Sequence, residues 1–196
     1  MIDKDTKRNI QEAIESHKKM IGELEKDYIE VIADAAEMIA ISLKAGGTVY
    51  LCGNGGSAAD AQHIAGELVG RFIKERKALR AFALSTDTSV ITSIANDYGY
   101  DKVFSRQADG LVNAGDIFWA ISTSGNSANV VAAAKIAKDK GAKIIAFTGR
   151  AASQLEELAD VCFCAENALT SRSQEIHQLA YHIICDLVEQ KFSDAK

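Results

Sequence analysis

The stretch Thr48-Val49-Tyr50-Leu51-Cys52-Gly53-Asn54-Gly55-Gly56-Ser57 decides the fold. A short apolar run ends in a glycine-rich turn, and a helical pattern over Ser57–Phe72 follows it. A strand that feeds a helix in this way opens a βα unit. The glycines let backbone N–H groups come close to a ligand, and Ser57 is placed to cap the helix. The start of that helix offers unpaired donors and the positive end of a dipole, so the turn suits an anion.

Similar apolar runs recur along the chain at Arg80–Ser85, Ile117–Ser122, Lys143–Thr148 and Val161–Ala165, after the first at Thr48–Cys52. They show little polar alternation, as expected of parallel strands buried on both faces. Helical patterns lie between and after them, at Asp101–Val112, Ser127–Lys140, Gln154–Ala159 and, longest, Ser171–Phe192. The expected class is therefore α/β: a three-layer αβα sandwich around a five-stranded parallel sheet, flavodoxin-like, with an added N-terminal helical layer. No linker, repeat or low-complexity segment divides residues 1–196, so one domain is expected.

Residues 3–45 read as helical throughout. Ile10, Ile14, His17, Ile21, Leu24, Tyr28 and Val31 are spaced alternately by four and three, the signature of one helical stripe. A stripe of this length exceeds what one small domain covers, so residues 1–45 are expected to contribute to oligomerisation. Ala45-Gly46-Gly47 then supplies a glycine stop.

Composition removes several function classes. Of 196 residues, 47% are apolar and 25% charged, which suits a folded globular chain and not a disordered one. The balance of 22 basic and 27 acidic residues gives a net charge of −5. A generic nucleic-acid binder needs a basic face, so that class is disfavoured, whereas a small anionic substrate needs only a locally positive pocket. There is no proline, so turns fall to glycine, asparagine, aspartate and serine. Met1–Asp5 is charged without an apolar core, so no signal peptide is expected, and no apolar run approaches the roughly 20 residues of a membrane span. Cys52, Cys162, Cys164 and Cys185 form no C-x-x-C pair. They read as reduced, buried small hydrophobes of a cytoplasmic protein.

In an open parallel sheet, ligands bind beyond the carboxyl ends of the strands. After the third run comes Ser122-Thr123-Ser124-Gly125-Asn126-Ser127, with four hydroxyls around one glycine at a strand-to-helix junction. Such a turn can bind phosphate without a cationic side chain. Gly53-Asn54-Gly55-Gly56-Ser57-Ala58 also fits the loose dinucleotide fingerprint, but Asp87 comes only late after the second strand and the hydroxyl turn is left unexplained. His63 and Glu67 stand one turn apart on one helix face, a spacing for a metal site or an acid–base unit. The last helix carries Gln174, His177, Gln178 and His182. His177 is rotated about 140° from His182, so one faces a site and the other does not; Gln174 and His182 are roughly 12 Å apart along the axis. Asn96-Asp97 is expected in a loop after a short helix.

The run Cys52–His63, the run Ala120-Ile121-Ser122-Thr123-Ser124-Gly125-Asn126-Ser127-Ala128-Asn129-Val130 and the segment Gln174-Glu175-Ile176-His177 closely resemble the phosphoheptose isomerases of the sugar-isomerase (SIS) fold. The resemblance spans nearly the whole chain. It implies conversion of D-sedoheptulose 7-phosphate into D-glycero-D-manno-heptose 7-phosphate, the first step toward ADP-heptose for lipopolysaccharide core. It also implies a cytoplasmic homotetramer with active sites between subunits and one zinc ion at each. His63, Glu67, Gln174 and His182 match the metal positions of that family, and Glu67 and His182 its catalytic pair. Asn54, Gly55, Gly56, His63, Glu67, Asn96, Asp97, Ser122, Thr123, Ser124, Ser127, Gln174 and His182 match its substrate contacts. A paralogue of the same fold binds the bacterial replication initiator without catalysis. It shares the glycine loop and Gln-Glu-x-His but is expected to lack the full catalytic set, whereas this chain has both Glu67 and His182. A sugar-phosphate sensing module would be accompanied by a DNA-binding segment, which is not seen here.

Overall fold

The computed structural model describes residues 2–193. Five strands, β1 (Val49–Gly53), β2 (Ala81–Ala83), β3 (Ile117–Ser122), β4 (Lys143–Thr148) and β5 (Val161–Cys164), make one parallel sheet in the order β2-β1-β3-β4-β5. Eight α-helices surround it among the described residues: α1 (Lys4–Asp27), α2 (Ile29–Lys44), α3 (Gly56–Val69), α4 (Thr88–Tyr98), α5 (Ser105–Leu111), α6 (Ala128–Asp139), α7 (Gln154–Leu158) and α8 (Thr170–Gln190). The sheet is the expected parallel one, in the flavodoxin-like order whose chain reversal lies between β1 and β3. Gly53 of β1 sits beside Ile121 of β3, so the glycine turn and the serine turn leave the sheet as neighbours.

Burial on both faces explains the uninterrupted apolar runs. Leu51, Trp119, Ile145 and Phe147 face α1, α2, α3 and α8. The Trp119 and Phe147 rings meet edge to face, 5.0 Å between centroids. Cys52, Phe118, Ala120, Ile144 and Ala146 face the other layer, against Phe104, Ala108, Val130 and Ala134. Both layers follow from alternate side chains pointing to opposite faces of each strand.

Four expectations change in detail. The N-terminal segment is two helices, broken at Tyr28, whose backbone leaves the helical region (φ −124°, ψ 3°) and whose hydroxyl donates to the Cys164 carbonyl at 2.7 Å. Its stripe is divided: Leu24 is buried, while Ile10 and Ile14 are each 51% exposed in the single chain. Asp101–Val112 is not one helix; a 3-10 turn at Tyr100–Lys102 precedes the shorter α5. The edge strand β2 keeps only three residues, and its Phe82 is half exposed because no strand among the described residues pairs beyond it. Cys52 and Cys185 are buried, but Cys162 and Cys164 on the edge strand β5 are only partly so; all four are free thiols. No helix is long and apolar enough to cross a membrane among the described residues.

Candidate active site

The site is built where α3 leaves β1. Gly55 holds the N-cap position of α3 with φ +55°, a conformation that costs glycine little and other residues much. Ser57 is therefore not the cap. It lies inside the helix, buried beneath Gly53, and no side chain caps α3. The first N–H groups of α3 are correspondingly left without a side-chain partner.

The serine turn stands beside it. Ser122 Oγ lies 2.9 Å from Ser127 Oγ and 3.2 Å from Ser124 Oγ. Gly125 turns the chain with φ +64°, and a Cβ there would overlap Ser153. Ser127 occupies the N-cap position of α6 but makes no capping bond, since its hydroxyl is committed to Ser122. Three hydroxyls at a helix start form an uncharged anion cradle. Asn54 and Asn129 bind the two turns together: each amide nitrogen donates to the other's oxygen at 2.9 Å, and Tyr100 donates to Asn54 Oδ1 at 3.1 Å.

Asn96 and Asp97 are not in a loop. They occupy the last turn of α4, with Asn96 Nδ2 donating to Asp97 Oδ1 at 2.9 Å. Helix α4 runs on to Tyr98 because Gly99, at φ +86°, supplies the stop. Asp87 caps α4 by accepting from the Val90 N–H at 3.0 Å, which gives it a structural task in place of binding a ribose.

Two turns into α3, His63 and Glu67 share a face, and α8 brings His182 onto them. His63 Nε2 is 3.0 Å from Glu67 Oε1 and 3.5 Å from His182 Nε2. Ile64 and Leu68 turn the other way, into the core. Burial, reinforced by the neighbouring His63, lowers the His182 pKa, so its neutral imidazole is favoured at neutral pH. The other histidine of α8 does the opposite job. His177 is fully buried, pairs its Nε2 with the Thr148 carbonyl at 2.8 Å, and is held neutral by burial, with its pKa pushed down to about 4. Gln174, two turns before His182, sets its amide against Gly56, where an added Cβ would lie 2.4 Å from Nε2.

The structure thus brings His63, Glu67 and His182 together, with their ligand atoms all within 4.8 Å of one another. Tetrahedral ligands with bonds of ~2.1 Å stand ~3.4 Å apart, and a nitrogen, nitrogen and oxygen set is one that zinc accepts. The 3.0 and 3.5 Å separations fit such an ion. Sequence reasoning missed Asn129, Tyr181 and Asp60. The Tyr181 hydroxyl is 3.0 Å from His63 Nδ1 and 3.5 Å from Asp60 Oδ1, and burial pushes the Asp60 carboxyl up to about 6. The spacing of Asp60, His63 and Glu67 along one helix face was the available signal for Asp60.

Comparison with known proteins supplies the context. Residues 13–149 match the SIS domain family. The chain is 51% identical over 160 residues to a phosphoheptose isomerase of Helicobacter hepaticus, covering 82% of each protein. Its structure is similar to that of a phosphoheptose isomerase from Neisseria gonorrhoeae, with TM-score 0.88, 41% identity and coverage of 94% of this chain and 98% of that one. A phosphoheptose isomerase from Francisella tularensis superposes with TM-score 0.90 at 34% identity, over 93% and 97% of the two chains.

Proposed function

This chain belongs to the phosphoheptose isomerase family of SIS-domain proteins and is an isomerase of sugar phosphates, and on that premise we propose that it converts D-sedoheptulose 7-phosphate into D-glycero-D-manno-heptose 7-phosphate. The observation that carries this reading is the convergence of His63, Glu67 and His182 from two helices. Ketose–aldose isomerisation needs a base for a carbon-bound proton, an acid for the oxygens and stabilisation of developing negative charge. A carboxylate can supply the base and an imidazole N–H the acid.

In the proposed reaction Glu67 takes a proton from C1, the C1–C2 double bond forms, and the ketone oxygen receives a proton from His182. The resulting enediol then returns the C1 hydroxyl proton to His182 as the aldehyde forms, and C2 receives the proton held by Glu67. His63, Glu67, Gln174 and His182 would hold a zinc ion, which when bound polarises the substrate oxygens. Ser122, Thr123, Ser124 and Ser127 grip the phosphate, with the N-terminus of α6 behind them. Asn54, Gly55, Gly56, Asn96 and Asp97 line the path of the sugar chain.

The same reading places the enzyme in the cytoplasm, at the first step toward ADP-heptose for lipopolysaccharide core. It assembles as a homotetramer through residues 1–45, with sites between subunits. The exposed Ile10 and Ile14 of α1 support that assembly, since exposed aliphatic stripes favour partners. Incubation with sedoheptulose 7-phosphate tests the function. The aldose product should appear, a chelator should stop it, and zinc should restore it. Failure of the purified protein to form any aldose with zinc present would sink the proposal.

A further inference from the structure

Behind the three converging side chains lies a second set of groups that the proposed chemistry does not use. Tyr181 precedes His182 on α8 and is 1% exposed. Its ring stands edge-on to both imidazoles, with centroids 5.5 Å from His63 and 4.8 Å from His182. A buried phenol hydroxyl needs a hydrogen-bond partner. This one has two, His63 Nδ1 at 3.0 Å and Asp60 Oδ1 at 3.5 Å, and only one proton to give. Asp60 Oδ2 is buried with no partner among the described residues, so the carboxylate is short of donors.

We propose that Asp60 and Tyr181 form a relay that orients His63 for a metal, the phenol oxygen receiving the imidazole proton on Nδ1 when Nε2 gives its lone pair to the ion. The inference rests on the metal-site reading given under Proposed function. An ionised carboxylate can only accept, so it draws the phenol proton. The phenol oxygen then accepts from the His63 Nδ1–H. Binding an ion through Nε2 requires that the proton sit on Nδ1, where the phenol oxygen receives it. Before an ion binds, Nε2 lies 3.0 Å from Glu67 Oε1, which can only accept, so an Nε2–H tautomer competes with the relay and turns the phenol proton away from Asp60 toward Nδ1. An outer carboxylate that fixes the tautomer of a metal-binding histidine is a recurring device, and its loss weakens metal binding about 10–100-fold. Tyr181 and Asp60 are positioning residues, since both act through His63.

Tyr181→Phe keeps the ring against both histidines and removes only the hydroxyl. The test uses the full chain, stripped with a chelator and titrated with zinc alone against a chromophoric competitor, together with 15N spectra of the metal-free imidazoles. Wild type should bind one zinc per chain, and Tyr181→Phe should bind it about 10–100-fold more weakly. Asp60→Asn, whose amide can donate back to the phenol, should weaken it in the same direction. In the spectra, the His63 Nδ1 resonance should be that of a nitrogen hydrogen-bonded to the phenol in wild type and should shift in both variants. Equal zinc affinity of wild type and Tyr181→Phe, with an unchanged His63 Nδ1 resonance, would overturn the relay. A wild type that binds no zinc would sink the metal-site reading instead, and the His63 Nδ1 resonance would then decide the relay by itself.

Discussion

His182 brings its Nε2 to 3.5 Å from the Nε2 of His63, although 119 positions separate them in the chain. The contact exists because α3 and α8 lie on the same face of the sheet, both packed on the layer that holds Leu51, Trp119 and Phe147. Glu67 completes the group from one turn further along α3, 3.0 Å from His63. The site is thus a product of tertiary packing, and perturbations of that packing should separate binding from turnover.

Gly56 offers such a separation. A Cβ there would lie 2.4 Å from Gln174 Nε2, the mobile end of a side chain, so the amide would yield before the backbone does. Alanine is also preferred over glycine within a helix by ~0.5–1 kcal/mol. Gly56→Ala should therefore fold at least as stably as wild type by thermal melting. Its turnover should nonetheless fall by up to ~10²-fold, the cost of a displacement of ~1 Å at a reacting site. Wild-type turnover in this variant would show that the seat of Gln174 is irrelevant.

His177 should give the protein a measurable acid sensitivity. Its pKa is lowered to about 4 in the fold because burial disfavours the imidazolium, against an ordinary value of 6.5. Above 6.5 both the folded and unfolded imidazoles are neutral, and the contribution is fully present. As pH falls from 6.5 toward 4 the unfolded chain takes the proton first, so stability is lost across that window, by roughly 3 kcal/mol at its end. Urea unfolding at pH 7 and pH 5 should show a steeper loss for wild type than for His177→Gln, whose amide can still donate to the Thr148 carbonyl. Identical slopes would contradict the assignment.

How much of this was legible beforehand depends on where each residue sits. The bounds of β3 and β4 follow directly from the sequence, because central strands buried on both faces leave uninterrupted apolar runs. The edge strand β2 is shorter than its run at both ends: only Ala81–Ala83 pair in register with β1, and Arg80 and Leu84 add single backbone bonds to Val49 and Leu51 beside them. On α8 the helical angle separated His177 from His182 but could not say which one faces α3; only the packing of α8 on the sheet decides that. Asn96 and Asp97 looked like turn residues because their types favour turns, yet Gly99 ends α4 two residues after Asp97. Asn129 and Tyr181 act through partners 75 and 118 positions away, a relation that no local pattern records.

Asn129 is buried and holds the Asn54 amide through paired bonds of 2.9 Å. Asn129→Leu keeps the approximate volume but leaves Asn54 with Tyr100 as its remaining side-chain partner. The expected cost is ~1–3 kcal/mol of stability, from the loss of buried polar partners. Because Asn54 belongs to the proposed substrate contacts, KM for the sugar phosphate should rise more than kcat falls. Steady-state kinetics of a variant shown to be folded checks this. An unchanged KM would mean that the asparagine pair only stiffens the two turns.

The most direct test of the account is turnover of sedoheptulose 7-phosphate by Glu67→Gln, measured with substrate affinity on the same preparation. If Glu67 carries the proton between C1 and C2, turnover should drop ~10²-fold or more, while the substrate, held by its phosphate in the proposed serine turn, should still bind nearly as well as to wild type. Wild-type turnover in Glu67→Gln would contradict the proposed chemistry outright.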